Sequence, residues 1–390
     1  MQRSLIITIG IGIIILMLGV WGYLFMYGAP KQTTEIFSNL GIIRQSDTPV
    51  RTVASASQPQ EEGVQLSLSG SPLQQLSTRA VAGFTFVPDT PNVIRYVEQG
   101  TGHVYQIDLQ SNLETQISLT TLPQTTVALF SPRTTKVALT VYENYDTRVS
   151  VGTLDETKKT LSFFELRRNA ENIAFKNENE IYFTLAENNQ TVGYVVDLTT
   201  QKSKEVLRAP FADSTMLWGN TFAGMYIYPK PAATLEGALY SIAGSQLTPK
   251  TTAFAGLTSF TNGVHTVTSR IIDAVYHTES ISGTVTYPQG IIMINEKCAF
   301  SSEDKNILWC AAPLTATATY LQDWHKGIIT SEDYLWYTNL TEESSTLVGD
   351  LPKLALKTLD VHNVAISDDG KNLLMGNKID QTLWLYRIVQ

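Results

Sequence analysis

Few residues of this 390-residue chain have types and spacing suited to chemistry. Its only two cysteines bracket the run C-A-F-S-S-E-D-K-N-I-L-W-C, from Cys298 to Cys310. If the polar centre of that run is a hairpin turn, Phe300 faces Leu308 and Ser302 faces Asn306, which puts Cys298 opposite Cys310. Directly opposed side chains at a non-hydrogen-bonded pair lie close enough for a disulfide. Two free cysteines packed as small hydrophobes are the alternative, and export of the domain favours the bridge. The five histidines, His103, His265, His277, His325 and His362, show no H-x-x-x-H or H-E-x-x-H spacing. A zinc site needs several converging donors, so no metal site is expected. No G-x-S-x-G elbow occurs; the run L-S-L-S-G ending at Gly70 lacks the first glycine. Glu332-Asp333 and Asp368-Asp369 are adjacent acids rather than a pair spaced around a scissile bond, and turn chemistry and solvated strand ends are their expected roles. Without a D-x-D-x-D-G loop there is no calcium signature either. No catalytic residue and no cofactor are expected.

Two long polar stretches offer binding chemistry instead. Residues 228–236 read Y-P-K-P-A-A-T-L-E, and residues 313–331 contain Tyr320, Asp323, Trp324, His325 and Lys326. Aromatic and charged side chains together on a long loop are more often functional than the same residues on a core strand. The expectation is a partner-binding surface with Tyr320 and Trp324 as anchors. The alternative is that Trp324 folds back and caps its own sheet.

The elements that must position these stretches are strands. Residues 364–388 read V-A-I-S-D-D-G-K-N-L-L-M-G-N-K-I-D-Q-T-L-W-L-Y-R-I: an apolar strand, an S-D-D-G-K turn, a second apolar strand, then a third built on Trp384 and Tyr386. Asp and Gly tolerate the backbone angles of a tight turn, so this is a hairpin signal. Weaker copies recur. Tyr105, Val149, Tyr194, Tyr240, Tyr276, Trp336 and Trp384 occupy corresponding positions, separated by 44, 45, 46, 36, 60 and 48 residues. A period of about 40–50 residues with four short strands per unit is the signature of β-propeller blades. The expected class is therefore all-β, a seven-bladed propeller over residues 71–390. Only Val389 and Gln390 follow the last aromatic strand, too few for an outer strand. Residues 73–77 look like an outer strand without a blade of its own and are expected to close the ring.

The pattern S-x-D-G-K followed by L-W-L-Y resembles the WD40-like repeat of TolB-type (PD40) propellers, over about the last 320 residues. Most copies are degenerate, and the Trp-Asp pair of true WD40 repeats is missing. More narrowly, K-C-A-F-S-S-E-D-K-N-I-L-W-C-A-A-P and the later D-W-H-K-G, behind a single N-terminal anchor, resemble membrane-anchored propeller proteins of candidate-phyla bacteria. That resemblance implies a fold and carries no activity with it.

The anchor is residues 5–27, an uncharged apolar run long enough to cross a bilayer as a helix. Pro30 follows where a cleaved leader would need small residues, which favours an uncleaved signal anchor. Trp21, Tyr23 and Tyr27 suit the interface at its far end, and Arg3 before the run favours an N-terminus inside the cell. Residues 31–70 are rich in Ser, Thr, Gln and Pro and read as a flexible tether. The expected location is thus a single-pass protein with an extracytoplasmic propeller. A formal net charge of -8 argues against nucleic acid as partner. The expected function is a non-catalytic binding or scaffold module for a protein or cell-envelope polymer. A glycan-cleaving hydrolase or lyase, and an accessory subunit of an envelope or secretion assembly, are the alternatives.

Overall fold

The computed structural model describes residues 70–219, 224–243, 246–280 and 291–388. The expected membrane span at 5–27 lies outside them, as does the tether up to residue 69. No helix among the described residues is long and apolar enough to cross a membrane.

The described residues form a seven-bladed β-propeller. Strands are lettered A to D from the axis outward. Blades 1 to 3 are four-stranded antiparallel meanders, beginning at Val81–Val87, Thr125–Phe130 and Glu171–Asn177 and ending at Leu113–Ser118, Thr160–Glu165 and Lys202–Ala209. Blade 4 runs from Ser214–Leu217 to Gln246–Pro249, with a two-stranded ribbon, Glu236–Gly237 and Phe254–Ala255, beside it. Blade 5 has three described strands, Thr258–Thr261, Thr266–Ile272 and Val275–Ser280. Blade 6 comprises Cys298–Phe300, Ile307–Ala312, Tyr334–Asn339 and Ser344–Gly349. Blade 7 comprises Val361–Ile366, Asn372–Asn377 and Leu383–Arg387, and Leu73–Gln75 from the other end of the chain is its D strand. Each of the seven repeat positions, from Tyr105 to Trp384, lies on a C strand.

The period-2 alternation of strands explains how the blades stack, because successive side chains face opposite neighbours. In blade 2, Val137 and Leu139 pack towards blade 1, whereas Ala138 between them packs towards blade 3. In blade 7, Leu373, Met375, Trp384 and Tyr386 face blade 6, and Leu374, Leu383 and Leu385 face blade 1. The core is therefore a ring of interblade layers. Near the axis the strands come very close: a Cβ on Gly83 would lie 1.9 Å from the Ala128 carbonyl oxygen, so only glycine fits there.

Leu73, Gln74 and Gln75 pair with Tyr386, Leu385 and Trp384. Leu76 N–H donates to the Leu383 carbonyl at 2.8 Å and Arg387 N–H to the Pro72 carbonyl at 2.7 Å. These bonds join the two ends of the domain in one sheet and cover the edge of the last C strand. In blade 6 the A–B hairpin has Phe300 opposite Leu308 and Cys298 opposite Cys310. The cysteines form the disulfide, with Cα atoms 4.1 Å apart, on the side of the sheet that faces blade 5.

Candidate functional site

Antiparallel order puts the A–B and C–D turns on one face of the disc and the B–C and D–A connections on the other. The most elaborate connection on the second face is the one between strands B and C of blade 6. It carries a short helix α1, Tyr320–His325, whose Tyr320, Leu321 and Trp324 are buried against Tyr276, Ile292 and Ile294. Tyr320 and Trp324 therefore do not stand out as anchors. The apolar faces of the two rings fill the gap over blades 5 and 6, which is the capping arrangement. Asp323 is half-buried, while His325 and Lys326 are exposed. His325 Nε2 lies 3.1 Å from Glu296 Oε1.

Beneath α1 lies a group of side chains that the spacing of the sequence does not reveal. Lys297, at the entry to strand A of blade 6, is fully buried between Asp333 and Asp360, both also fully buried. Asp333 precedes strand C of blade 6 and Asp360 precedes strand A of blade 7, so three chain connections meet at one ammonium. Lys297 Nζ donates to Asp333 Oδ2 and, at 2.9 Å, to Asp360 Oδ1. Asp333 Oδ2 also accepts from Val361 N–H at 2.7 Å, and its Oδ1 accepts from the Ser331 hydroxyl. Asp360 accepts from Trp324 Nε1 at 2.7 Å and from Ser331 N–H at 3.0 Å. Tyr320 OH completes the network with a 2.9 Å bond to Ser331 Oγ. The Nζ of Lys297 and that of Lys378 lie 4.7 Å and 3.8 Å from the Trp324 ring centre, within cation–π range.

The electrostatics follow from burial. Burial penalises the ammonium of Lys297, but the charges of Asp333, Tyr320 and Asp360 outweigh it and hold the group protonated well beyond the usual lysine range. Burial raises the carboxyl of Asp333 above the usual range despite its bond to Lys297. Tyr320 is pushed up to about 12, also by burial. Burial depresses His362, one strand position beyond Val361, to about 4.

Asp333 corrects an expectation. Its neighbour Glu332 is exposed at a strand end as expected, but Asp333 is buried in an ionic group rather than engaged in turn chemistry. Asp369, by contrast, accepts from Ser367 Oγ at 2.6 Å and Lys371 N–H at 3.2 Å, which is turn chemistry. The histidines remain scattered: His103 bonds Thr121 and His265 bonds Asn306. Among the described residues no group of three or more His, Cys, Asp or Glu side chains is placed to hold a metal. The one sequence signal for the buried group is an acid set between apolar residues, as in Leu359-Asp360-Val361; nothing marks Lys297 as its partner.

No family model and no curated protein matches the chain. Solved structures do. The fold is shared with "Oligogalacturonate lyase in complex with manganese" at a TM-score of 0.55 and 10% identity, covering 84% of this chain and 96% of that one. A chain of a "Mitotic Checkpoint Complex" aligns at 0.53 and 9% identity, covering 87% and 100%. The β-propeller domain of Cps50 (Swd1), whose organism is given as Myceliophteria thermophila, aligns at 0.52 and 10% identity, covering 81% and 100%. At such identities the likeness is one of fold alone.

Proposed function

We propose that the chain is a binding or scaffold module that takes a protein partner on the face built from its B–C and D–A connections. The observation that carries this reading is where large apolar side chains reach solvent. Tyr145, Leu235, Leu314, Ile328, Leu356 and Ile379 are exposed on that face, against Leu113 and Val264 on the turns of the other. Large apolar side chains gathered on one rim suit protein association. Tyr145 adds a second sign: it is fully exposed at a positive φ of 68°, in a two-residue B–C turn with Asn144 where glycine would cost less. On the same face a hollow of about 200 Å³, lined by apolar Leu122, Pro123 and Val141 and by polar Gln124, Glu143, Arg148 and Ser150, has room enough for a partner side chain. Asp323, His325 and Lys326 belong to the same surface as its charged part.

In this reading residues 5–27 anchor the chain, the tether of residues 31–70 separates propeller from bilayer, and the propeller works outside the cytoplasm. The Cys298–Cys310 bridge supports an oxidising compartment. The finer likeness to anchored bacterial propellers belongs to the same reading. The choice of a protein over a glycan belongs to it as well and rests on the apolar rim, since the fold neighbours include both a chain of a mitotic checkpoint complex and an oligogalacturonate lyase.

The test compares two sets of substitutions in the full chain, Tyr145→Ser with Leu235→Ser and Ile328→Ser, and Leu113→Ser with Val264→Ser. Partners are cross-linked in native membranes and quantified after detergent extraction. The first set should cut capture by about tenfold or more, the scale of losing central apolar contacts, and the second should not. Equal capture by both sets would dismiss the face.

A further inference from the structure

The Lys297 group has a composition that an ordinary ion pair does not need. Two carboxylates face one ammonium in a site without solvent, and all three side chains are fully buried. One cation and two anions share the fully buried site, and the half-buried Lys378 ammonium, 3.8 Å from the Trp324 ring centre, offsets their excess negative charge only from its margin, so the site stays costly. Uptake of a proton by one carboxyl removes that charge, and the raised proton affinity of Asp333 says which one takes it. The resulting set is an ammonium, a neutral carboxylic acid in contact with it, and a carboxylate 2.9 Å from the same Nζ. These are a nucleophile, an electrophile and a base.

We propose that Lys297 and Asp333 become joined by an amide bond between their side chains, with Asp360 as the base that drives the step. Asp360 Oδ1 takes one proton from the ammonium, and the freed amine attacks Cγ of Asp333. The backbone N–H of Val361, 2.7 Å from Asp333 Oδ2, stabilises the charge that develops on that oxygen. The Cγ–OH bond breaks, and the hydroxyl leaves with a second proton from Nζ as water. One Nζ–Cγ bond forms, one C–O bond breaks, one water is released, and the first proton remains on Asp360. No oxidant, cofactor or activated donor is required.

The surroundings favour the reaction over simple ion pairing. Lys297 Nζ and the carboxyl group of Asp333 are held in hydrogen-bond contact by three chain connections, so little freedom is lost on the way to attack. Tyr320, Trp324 and Leu321 cover the site, so the ammonium, which its neighbours hold protonated, can release a proton only to a group in direct contact such as Asp360, and water that would reverse the step is excluded. The product would tie the D–A entry of blade 6 to the entry of its C strand, across the same sheet that holds the disulfide at Cys298. The bond would also make the α1 loop a closed, permanent cap.

The experiment is a mass measurement on the full chain, denatured, reduced and thiol-blocked. The expected mass is that of the sequence with both cysteines blocked, less one water, and the expected tryptic product is a branched peptide in which Lys297 resists cleavage and is linked to Asp333. An unshortened mass overturns the proposal, as does a water loss that maps to another residue or a branch that ends on Asp360. Lys297→Arg should restore the full mass because the cation is kept and the nucleophile is lost. Asp360→Asn should restore it too; persistence of the branched peptide in that variant overturns the role of Asp360. The wild-type mass decides the question even if either variant fails to fold.

Discussion

The two faces of the disc solve the same problem of turning the chain round with different materials. On the A–B and C–D side the turns are short, and side chains stitch several of them to the next blade. Glu178, in the A–B turn of blade 3, accepts from Ser131 Oγ and Arg133 N–H of blade 2, each at 2.9 Å. Asn262 of blade 5 donates to the Lys305 carbonyl of blade 6 at 2.8 Å, and Asp89 N–H of blade 1 reaches Asp368 of blade 7 at 3.3 Å. Polar groups on this side are largely committed to the scaffold. On the B–C and D–A side, over blades 5 to 7, the cohesion comes from below, from the buried Lys297 group and the aromatic underside of α1, and the tips at Leu314, Ile328 and Leu356 are left apolar and open. A face whose structure is secured beneath its surface can vary at the surface, which is what a binding face needs.

The largest expected effect tests that division of labour. Lys297→Met leaves Asp333 and Asp360 without their shared partner in a dry site, removing the ion pairs and the bond that would form from them, and should cost about 3–5 kcal/mol. Glu178→Gln on the opposite face keeps a hydrogen-bonding side chain near solvent and should cost about 1–2 kcal/mol. Denaturant melts of the two variants give the ratio; equal losses would mean that the faces are held in the same way.

Trp324→Ala comes next and separates cap from anchor. The ring is 3% exposed and its Nε1 serves Asp360, so truncation should cost about 3–5 kcal/mol of stability. Partner capture by whatever folded protein remains should persist, because the exposed tips are untouched. A stable variant that no longer captures partner would return Trp324 to the binding surface.

A smaller effect is read from pH. His362 is half-buried, and its proton affinity falls from 6.5 to about 4 in the folded chain. The unfolded chain therefore binds more protons between those values, and stability contributed by neutral His362 is lost as pH falls through that window. In the chain without a Lys297–Asp333 bond, Asp333 acts in the opposite sense, since its raised carboxyl favours the folded state on acidification. The difference between wild type and His362→Asn isolates the first term, worth about 1–3 kcal/mol between pH 6.5 and 4. A flat difference curve would show that the histidine is not desolvated.

The smallest effect has the opposite sign. Tyr145→Gly places the residue best suited to a positive φ in the B–C turn of blade 2 and should raise stability by about 0.5–1 kcal/mol. The same change should lower partner capture. A gain in stability with no loss of capture would leave the strained tyrosine without a role in binding.

What the sequence could say follows from how local each signal is. Blade number was legible because every C strand needs a bulky residue to fill the layer beside it, and the chain repeats that need at near-constant intervals from Tyr105 to Trp384. The Cys298–Cys310 bridge was legible because a tight hairpin fixes which residues face each other across one turn. The orientation of Trp324 was not. A helical turn of six residues can show an aromatic ring to solvent or to the core, and the choice depends on Asp360, which is 36 residues away and accepts its Nε1 proton.

The amino-acid sequence by itself determined the class, the seven-fold repeat and the facing cysteines, because strand periodicity and turn chemistry act over a few residues. Only the tertiary structure decided that Lys297, Asp333 and Asp360 share one dry site and that Glu332 does not. Those three residues stand 36 and 63 positions apart from Lys297 outward, and no local preference links them. They meet because the entries of the A and C strands of blade 6 and the A strand of blade 7 open on the same face, and because α1 closes over them and excludes the water that would otherwise separate their charges.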